Sequence, residues 1–548
     1  MSYNSTVFAS ITANEYMVFS VSQRFVDSST ANFTLHDITR NDQINVIQRM
    51  FSFAQTSSLE RLSKSDCVDA YAQNYQSTRG SILLVVSNTT EGFTNEAVAD
   101  YETNVKPVIS ADDSAPDPFS WICNGKGSRT SCGSLISSVQ GQIDTWQPFR
   151  KPIQYCMSEK VEQHCRLEYS AHLALVVVMI GFLKTAVMLY IAFGIHDVPI
   201  LTIGDAVSSF LALPEARTKG MCLLDKTLKG FDRSASKAYG ASDLGHYSSI
   251  ASSMQPKAFS DQKRRHFSAA STRRWFAFLL TFVVLLGASI FLLIYGSYWF
   301  KGDRSEAFTQ GLGTVDPRAF ISWTIPTDGA IGLLCNVVVA NVPQLLLSFL
   351  YLNYNGLMTV MSLAQEWARY GVRRNGLRVS TTTRGAQRST YFLQLPYRFS
   401  IPIVIVTGTL HWLISQSIFL VSVEAVRLIA PLKAVLGDTN VWDTANPEYL
   451  MTCGYSPPAI LASIIVASLL LLWMLCIGFM RLPSSMPVAA SCSAAIAAAC
   501  HVAVDEVDED PAAGELMWGD TGDDEKGIGH LAFSMRDVKQ PEEGKLYA

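Results

Sequence analysis

Five apolar blocks in the last two thirds of the chain restrict the fold more than any other feature. They are Ala171–Phe193, Trp275–Trp299, Ala330–Leu352, Phe399–Val423 and Ala459–Met480. A lipid core about 30 Å thick needs roughly 20 helical residues to cross it, and each block exceeds that length. Charged residues are 16 % of the 548, below the roughly 25 % of a soluble domain. The sequence therefore reads as an α-helical polytopic membrane protein with about five transmembrane helices. The near-neutral charge gives no sign of a nucleic-acid partner, and no cofactor or metal site is read.

Residues 1–169 hold no such block and read as an α+β domain. Glu15–Val21 and Ser81–Ser87 look like strands. Between them Ile44, Ile47, Phe51 and Ala54 recur at helical spacing after a cap at Thr39–Asn41. The spans then occupy 170–193, 275–299, 330–352, 399–423 and 459–480. They are separated by a Ser-rich basic loop (194–274), an outer loop (300–329), an Arg-rich loop (353–398) and a second outer loop (424–458). The stretch Met486–Cys500 is too short for a span and reads as an interfacial or packed helix. The acidic tail within 481–548 reads as partly disordered.

Loop charge sets the sides. The loop 194–274 carries twelve Lys/Arg against seven Asp/Glu, and 353–398 carries seven arginines against Glu366. The loops 300–329 and 424–458 are balanced or acidic. Basic loops stay cytoplasmic, so alternation places 1–169 outside and the C-terminus inside. The sequons Asn4, Asn32 and Asn88 then fall on the side where glycosylation occurs. Cys67, Cys123, Cys132, Cys156, Cys165 and Cys453 fall on the oxidising side, an even number compatible with three disulfides. One of these is expected to join the N-terminal domain to Cys453. The plasma membrane is the expected site, with an endomembrane as the alternative.

The stretches EWARYGVRRNGLRVS, QRSTYFLQLPYRFSIP, LHWLISQSIFLVSVE, CGYSPPAI, MPVAASCSAAIAAACH and GHLAFS together resemble an uncharacterised family of fungal multi-pass integral membrane proteins. Its members carry a domain of unknown function near the N-terminus. The resemblance covers most of the chain and implies an integral membrane protein, with no catalytic or binding residues to carry over. The family usually has a span ahead of the lumenal domain, which this sequence lacks. Residues 1–20 also lack a signal-peptide pattern, so translation from an upstream start is expected to add a sixth span.

Three groups of residues could carry chemistry. Thr407, His411, Ser415 and Ser422 make a polar stripe on the fourth span, and Asn341, Gln344 and Ser348 make one beside Pro343 on the third. They read either as hydrogen-bonding glue between helices or as a ligand path. Lys184 is the one charge deep in a span, and either snorkels or functions. Arg369, Arg373, Arg374, Arg378, Arg384, Arg388 and Arg398 read either as a cytoplasmic retention signal or as a grip on anionic lipid headgroups. An amphipathic run with Leu357, Val360, Met361, Ala364, Trp367 and Ala368 on one side would hold that loop against the bilayer.

No Gly-rich phosphate loop, HExxH, G-x-S-x-G or zinc Cys pair occurs. The expected function is a non-enzymatic sensor or binding protein with a glycosylated, disulfide-bonded ectodomain and an outside ligand that the residues do not identify. The alternative is a small-solute transporter or channel with a polar path between the third and fourth spans. Protease added to sealed microsomes should spare 1–169 and cut within 353–398; the opposite pattern overturns this sidedness.

Overall fold

The computed structural model describes residues 7–28, 33–87, 96–107, 117–123, 132–162, 166–169, 171–194, 200–226, 255–300, 304–321, 329–392, 395–427, 443–502, 510–525 and 527–548. The sequons Asn4, Asn32 and Asn88, and Cys165, lie outside these. Among the described residues, five helices are long and apolar enough to cross a membrane: Ala171–Gly194, Thr272–Trp299, Gly329–Arg369, Tyr397–Ser417 and Pro457–Phe479. The chain divides into two compact units, and each division falls inside one of these helices.

The first unit holds residues 1–187, 288–346 and 411–464. Its organising strand is β1 (Val7–Val21). The second half of β1 runs parallel to β2 (Arg79–Val86) and antiparallel to β3 (Val98–Val105). β4 (Ile153–Lys160) pairs antiparallel with β2. Ile82, Leu84 and Val86 enter one core and Leu83 and Val85 the other. Both faces of the sheet are covered, which is why Ile82–Val86 is continuously apolar rather than alternating. The helix Asn41–Gln55 covers one face with Val46, Ile47, Met50 and Phe51. The helix Lys64–Tyr71 covers the other and is bonded to β4 through Cys67–Cys156. A second disulfide joins Cys123 to Cys132.

The first half of β1 takes a partner from far along the chain. Ile11–Glu15 run parallel to Val423–Arg427 of β5 (Ile418–Arg427), which pairs antiparallel with β6 (Asp443–Tyr455). Two expectations are corrected here. The fourth helix ends at Ser417 rather than Val423, and the described parts of loop 424–458 are largely strand. The run Ile418–Val423 is β-branched and aromatic, and the open edge of β1 gives its backbone a ladder that a helix end could not. Ser422 therefore leaves the helical stripe.

The expected disulfide to Cys453 is also corrected. Cys453 is a free, fully buried thiol on β6. Its Sγ donates to the Asn336 carbonyl at 3.3 Å and lies 3.5 Å from the Asn336 side-chain oxygen.

The second unit holds 188–287, 347–410 and 465–548. Its spine is the far half of the helix Gly329–Arg369, whose 41 residues measure about 62 Å, twice what a bilayer needs. The amphipathic run is thus a continuation of the third span, not a separate surface helix. Leu357, Met361, Ala364, Trp367 and Ala368 are buried against protein rather than lipid, and Trp367 Nε1 donates to the Pro487 carbonyl at 2.8 Å.

Residues 510–525 and 527–548 are ordered, correcting the expected disorder there. β7 (Glu515–Asp523) and β8 (Gly529–Ser534) form a hairpin, and β9 (Leu546–Tyr547) adds beside β8. Their apolar positions, Leu516, Trp518, Leu531, Phe533 and Tyr547, are buried with Trp367 and Tyr370. The acidic composition hid this pattern because some acids are internally paired: Asp520 accepts from Tyr547 at 3.0 Å and from Lys545 at 2.9 Å. Ser493–Ala498 is a packed helix against Ile203–Ala212, which lies inside the former loop 194–274.

Replacing Cys67 by Ser should lower stability by about 4 kcal/mol, since the bridge closes a loop of 89 residues. Unfolding of the full chain in detergent measures it. Burial pushes the Cys453 thiol up to about 12, so maleimide should reach it only after denaturation.

Candidate functional site

The Arg-rich segment is held by short contacts that its sequence does not advertise. Helical spacing puts Ser362, Glu366 and Arg369 in one row at the end of the long helix, with Gln365 beside it, and Arg373 follows in the connection after the helix. The opposite face is fixed by the Trp367 and Tyr370 rings, each edge-on to Phe533 at 5.4 Å. Arg378–Val379 then pairs in parallel with Arg388–Ser389.

This small ladder is fastened to the helix Ile203–Ala212. Thr202 Oγ1 donates to the Arg378 carbonyl at 2.6 Å, and the Ser380 N–H donates to Asp205 at 2.8 Å. Burial opposes the charge on Asp205, but its hydrogen bonds from Ser380 and Thr202 outweigh it and hold the carboxyl below its usual range. Gly204 is required by closeness: a Cβ there would lie 2.1 Å from the Arg378 carbonyl oxygen.

The result is a polar cleft of about 70 Å³ lined by Arg369, Arg373, Arg378, Arg388, Arg398 and Glu366, with Gln365 and Tyr391. Three of the five guanidinium groups are committed. Arg378 meets Glu366 at 3.3 Å, the Ser389 carbonyl at 2.6 Å and the Tyr391 hydroxyl at 3.1 Å, and lies 3.9 Å from the Tyr391 ring centre. Arg388 donates to the Gly376 carbonyl at 2.9 Å. Arg398 donates to Gln365 at 2.9 Å. Arg369 and Arg373 make no side-chain hydrogen bond or ion pair with a described residue. Guanidinium forks match phosphate and carboxylate oxygens in pairs, so this cleft offers donors for an anion.

Five of the seven expected arginines therefore gather in one place. Arg374 points elsewhere, to the Met535 carbonyl and to Asp537 at 2.9 Å, and Arg384 is exposed outside the cleft. The partners Gln365, Glu366 and Tyr391 were missed as site residues. Glu366 alone signalled itself, as the single acid in the basic loop.

The intramembrane candidates lie on two helices, Asn341, Gln344 and Ser348 on Gly329–Arg369 and Thr407, His411 and Ser415 on Tyr397–Ser417. Asn341, Gln344, His411 and Ser415 belong to the first unit, Ser348 and Thr407 to the second. Asn341 is exposed and donates to the Val337 carbonyl of its own helix at 2.8 Å. Ser415 donates to the Trp412 carbonyl at 2.6 Å, and His411 is half-buried. Thr407 lines an apolar cavity of about 30 Å³ with Phe278, Leu347, Tyr354 and Leu470, where its hydroxyl has no partner among the described residues. Lys184 is exposed on the first span. Asn336, absent from the expected stripe, is the buried polar group of the third span: its amide donates to the Gly332 carbonyl at 2.9 Å and to the Met451 carbonyl at 3.2 Å.

A family model described as a domain of unknown function (DUF8419) matches residues 230–546, and the chain belongs to that family. The match lies in the C-terminal part of the chain and takes in the whole arginine cleft, whereas the resemblance implied a domain near the N-terminus. No curated protein and no solved structure matches the chain.

Gly204→Ala should cost about 1–3 kcal/mol, because backbone must move to admit the new carbon. Thermal unfolding of the purified chain reads this out; an unchanged midpoint would show that the ladder does not depend on that contact.

Proposed function

We propose that this family member is a multi-pass membrane protein that binds a phosphate-bearing anion in its arginine cleft without turning it over. The observation that carries the reading is the pair Arg369 and Arg373, two cations without a hydrogen-bonding partner among the described residues, beside three arginines held in place by other groups. Arg369 is half-buried and Arg373 exposed, so their donors are open to a ligand at the cleft, whereas those of the more buried Arg374 and Arg318 are taken up within the protein. Non-enzymatic binding fits a sequence without a catalytic motif. It also keeps the sensor reading: a disulfide-bonded domain faces outside and an anion cleft faces the cytoplasm.

What supports that sidedness is chemical. The two disulfides lie in the N-terminal domain, while Cys222, Cys492 and Cys500 in the second unit are free. The strand pairing of β1 with β5 and β6 keeps the N-terminal domain and the 424–458 connection on one side of any membrane that the helices cross.

The test is titration of the full chain in detergent with inorganic phosphate, against chloride at equal ionic strength. Phosphate should raise the unfolding midpoint, and Arg369→Gln with Arg373→Gln should weaken binding at least tenfold, since a charge-assisted hydrogen bond contributes about 1.5–3 kcal/mol. Without phosphate the double variant should unfold at or above the wild-type midpoint, because the protein loses no internal partner and sheds repulsion among the arginines. Equal binding by wild type and variant overturns the reading.

A further inference from the structure

We propose that the phosphoryl group this cleft takes belongs to a membrane lipid, a phosphomonoester headgroup entering from the bilayer surface. The inference rests on the anion-binding reading and adds the source of the anion.

Its first support is position. Arg398 lies three residues, about 4.5 Å along the helix, before Ile401. Ile401 is 51 % exposed and is followed by Val404 and Ile405, also outward-facing. That is the level at which a spanning helix passes from acyl chains to headgroups. Other helix ends in the same unit put arginine at the same boundary. Arg274 precedes the exposed Phe276, and Arg481 follows the exposed Phe479 and Met480.

The second support is the rim. Three cleft residues each adjoin an exposed large side chain in sequence: Arg373 follows Val372 (53 % exposed), Tyr391 precedes Phe392 (88 %) and Arg398 follows Tyr397 (50 %). A site for a dissolved anion gains nothing from apolar groups held out in water. A site for a lipid does, because those groups enter the interface while the arginines hold the headgroup.

Charge selects the headgroup class. Five arginines face one carboxylate, and a phosphomonoester brings about −1.5 to −2 at neutral pH where a diester brings a single charge. Bidentate contact from Arg369 and Arg373 would use both free forks on one phosphoryl group.

The experiment places the full chain in nanodiscs of phosphatidylcholine with a few mole per cent of phosphatidic acid, and counts retained lipid by native mass spectrometry. Wild type should hold phosphatidic acid over phosphatidylcholine at least tenfold, and over phosphatidylserine as well. Arg369→Gln with Arg373→Gln should abolish the preference. Val372→Ser with Phe392→Ser should reduce it several-fold while leaving inorganic phosphate binding in detergent unchanged. If inorganic phosphate binds but phosphatidic acid is not preferred, or if the rim variant retains lipid as wild type does, the lipid source is overturned and the anion cleft stands. If neither phosphate nor lipid binds, both readings fall.

Discussion

The pairing of Ile11–Glu15 with Val423–Arg427 is the interaction on which the first unit depends. A chain that has just left an apolar helix carries unsatisfied carbonyl groups, and apolar surroundings offer them nothing. The fourth helix answers by turning directly into β5, and the edge of β1 supplies the ladder. The cost is closure of a loop about four hundred residues long, which grows only logarithmically with length. The benefit is a sheet that continues from the disulfide-bonded domain to the connection before the fifth helix. Asn336 completes the arrangement from the side of the third helix by donating to the Met451 carbonyl on β6.

The apolar blocks were legible because bilayer thickness imposes a length on them, and five helices stand where five blocks were read. Their ends were not legible. The block Phe399–Val423 is one apolar run in sequence but a helix and then a strand in space. Nothing within it marks Ser417 as the boundary, since the deciding partner is β1, four hundred residues earlier. The helix Gly329–Arg369 fails in the other sense. Its apolar face continues past Leu352, but composition alone does not say whether lipid or protein covers it.

The second unit shows the same limit in its acidic segment. Leu516–Trp518 and Leu531–Phe533 are apolar runs of the kind strands use, but three-residue stretches near acids do not rise above their background. The hairpin is stable because Trp518 and Phe533 meet Trp367 and Tyr370 from the long helix. The seven arginines were visible from the start. Which five would converge was not, because convergence depends on a backbone contact, Gly204 against Arg378, between segments 174 residues apart.

Gathering cations is unfavourable unless something fixes them. Coulomb repulsion between guanidinium groups about 6 Å apart reaches roughly 3 kcal/mol at an effective dielectric near 20, so a loop free to relax would spread them. Here it is not free. Arg378 is fixed by Glu366, the Ser389 carbonyl and the Tyr391 ring, Arg388 by Gly376, and the backbone between them by Thr202 and Asp205. Arg369 ends a helix whose other face is locked by Trp367, and Arg373 follows in the connection that Tyr370 pins against Phe533. The contacts thus hold positive charge in a place where, among the described residues that line it, Glu366 is the one acid. An anion entering this cleft finds three of its five arginines already ordered, so less of its binding energy goes to organising them. The stored repulsion is relieved at the same step, and that relief favours a doubly charged ligand over a singly charged one.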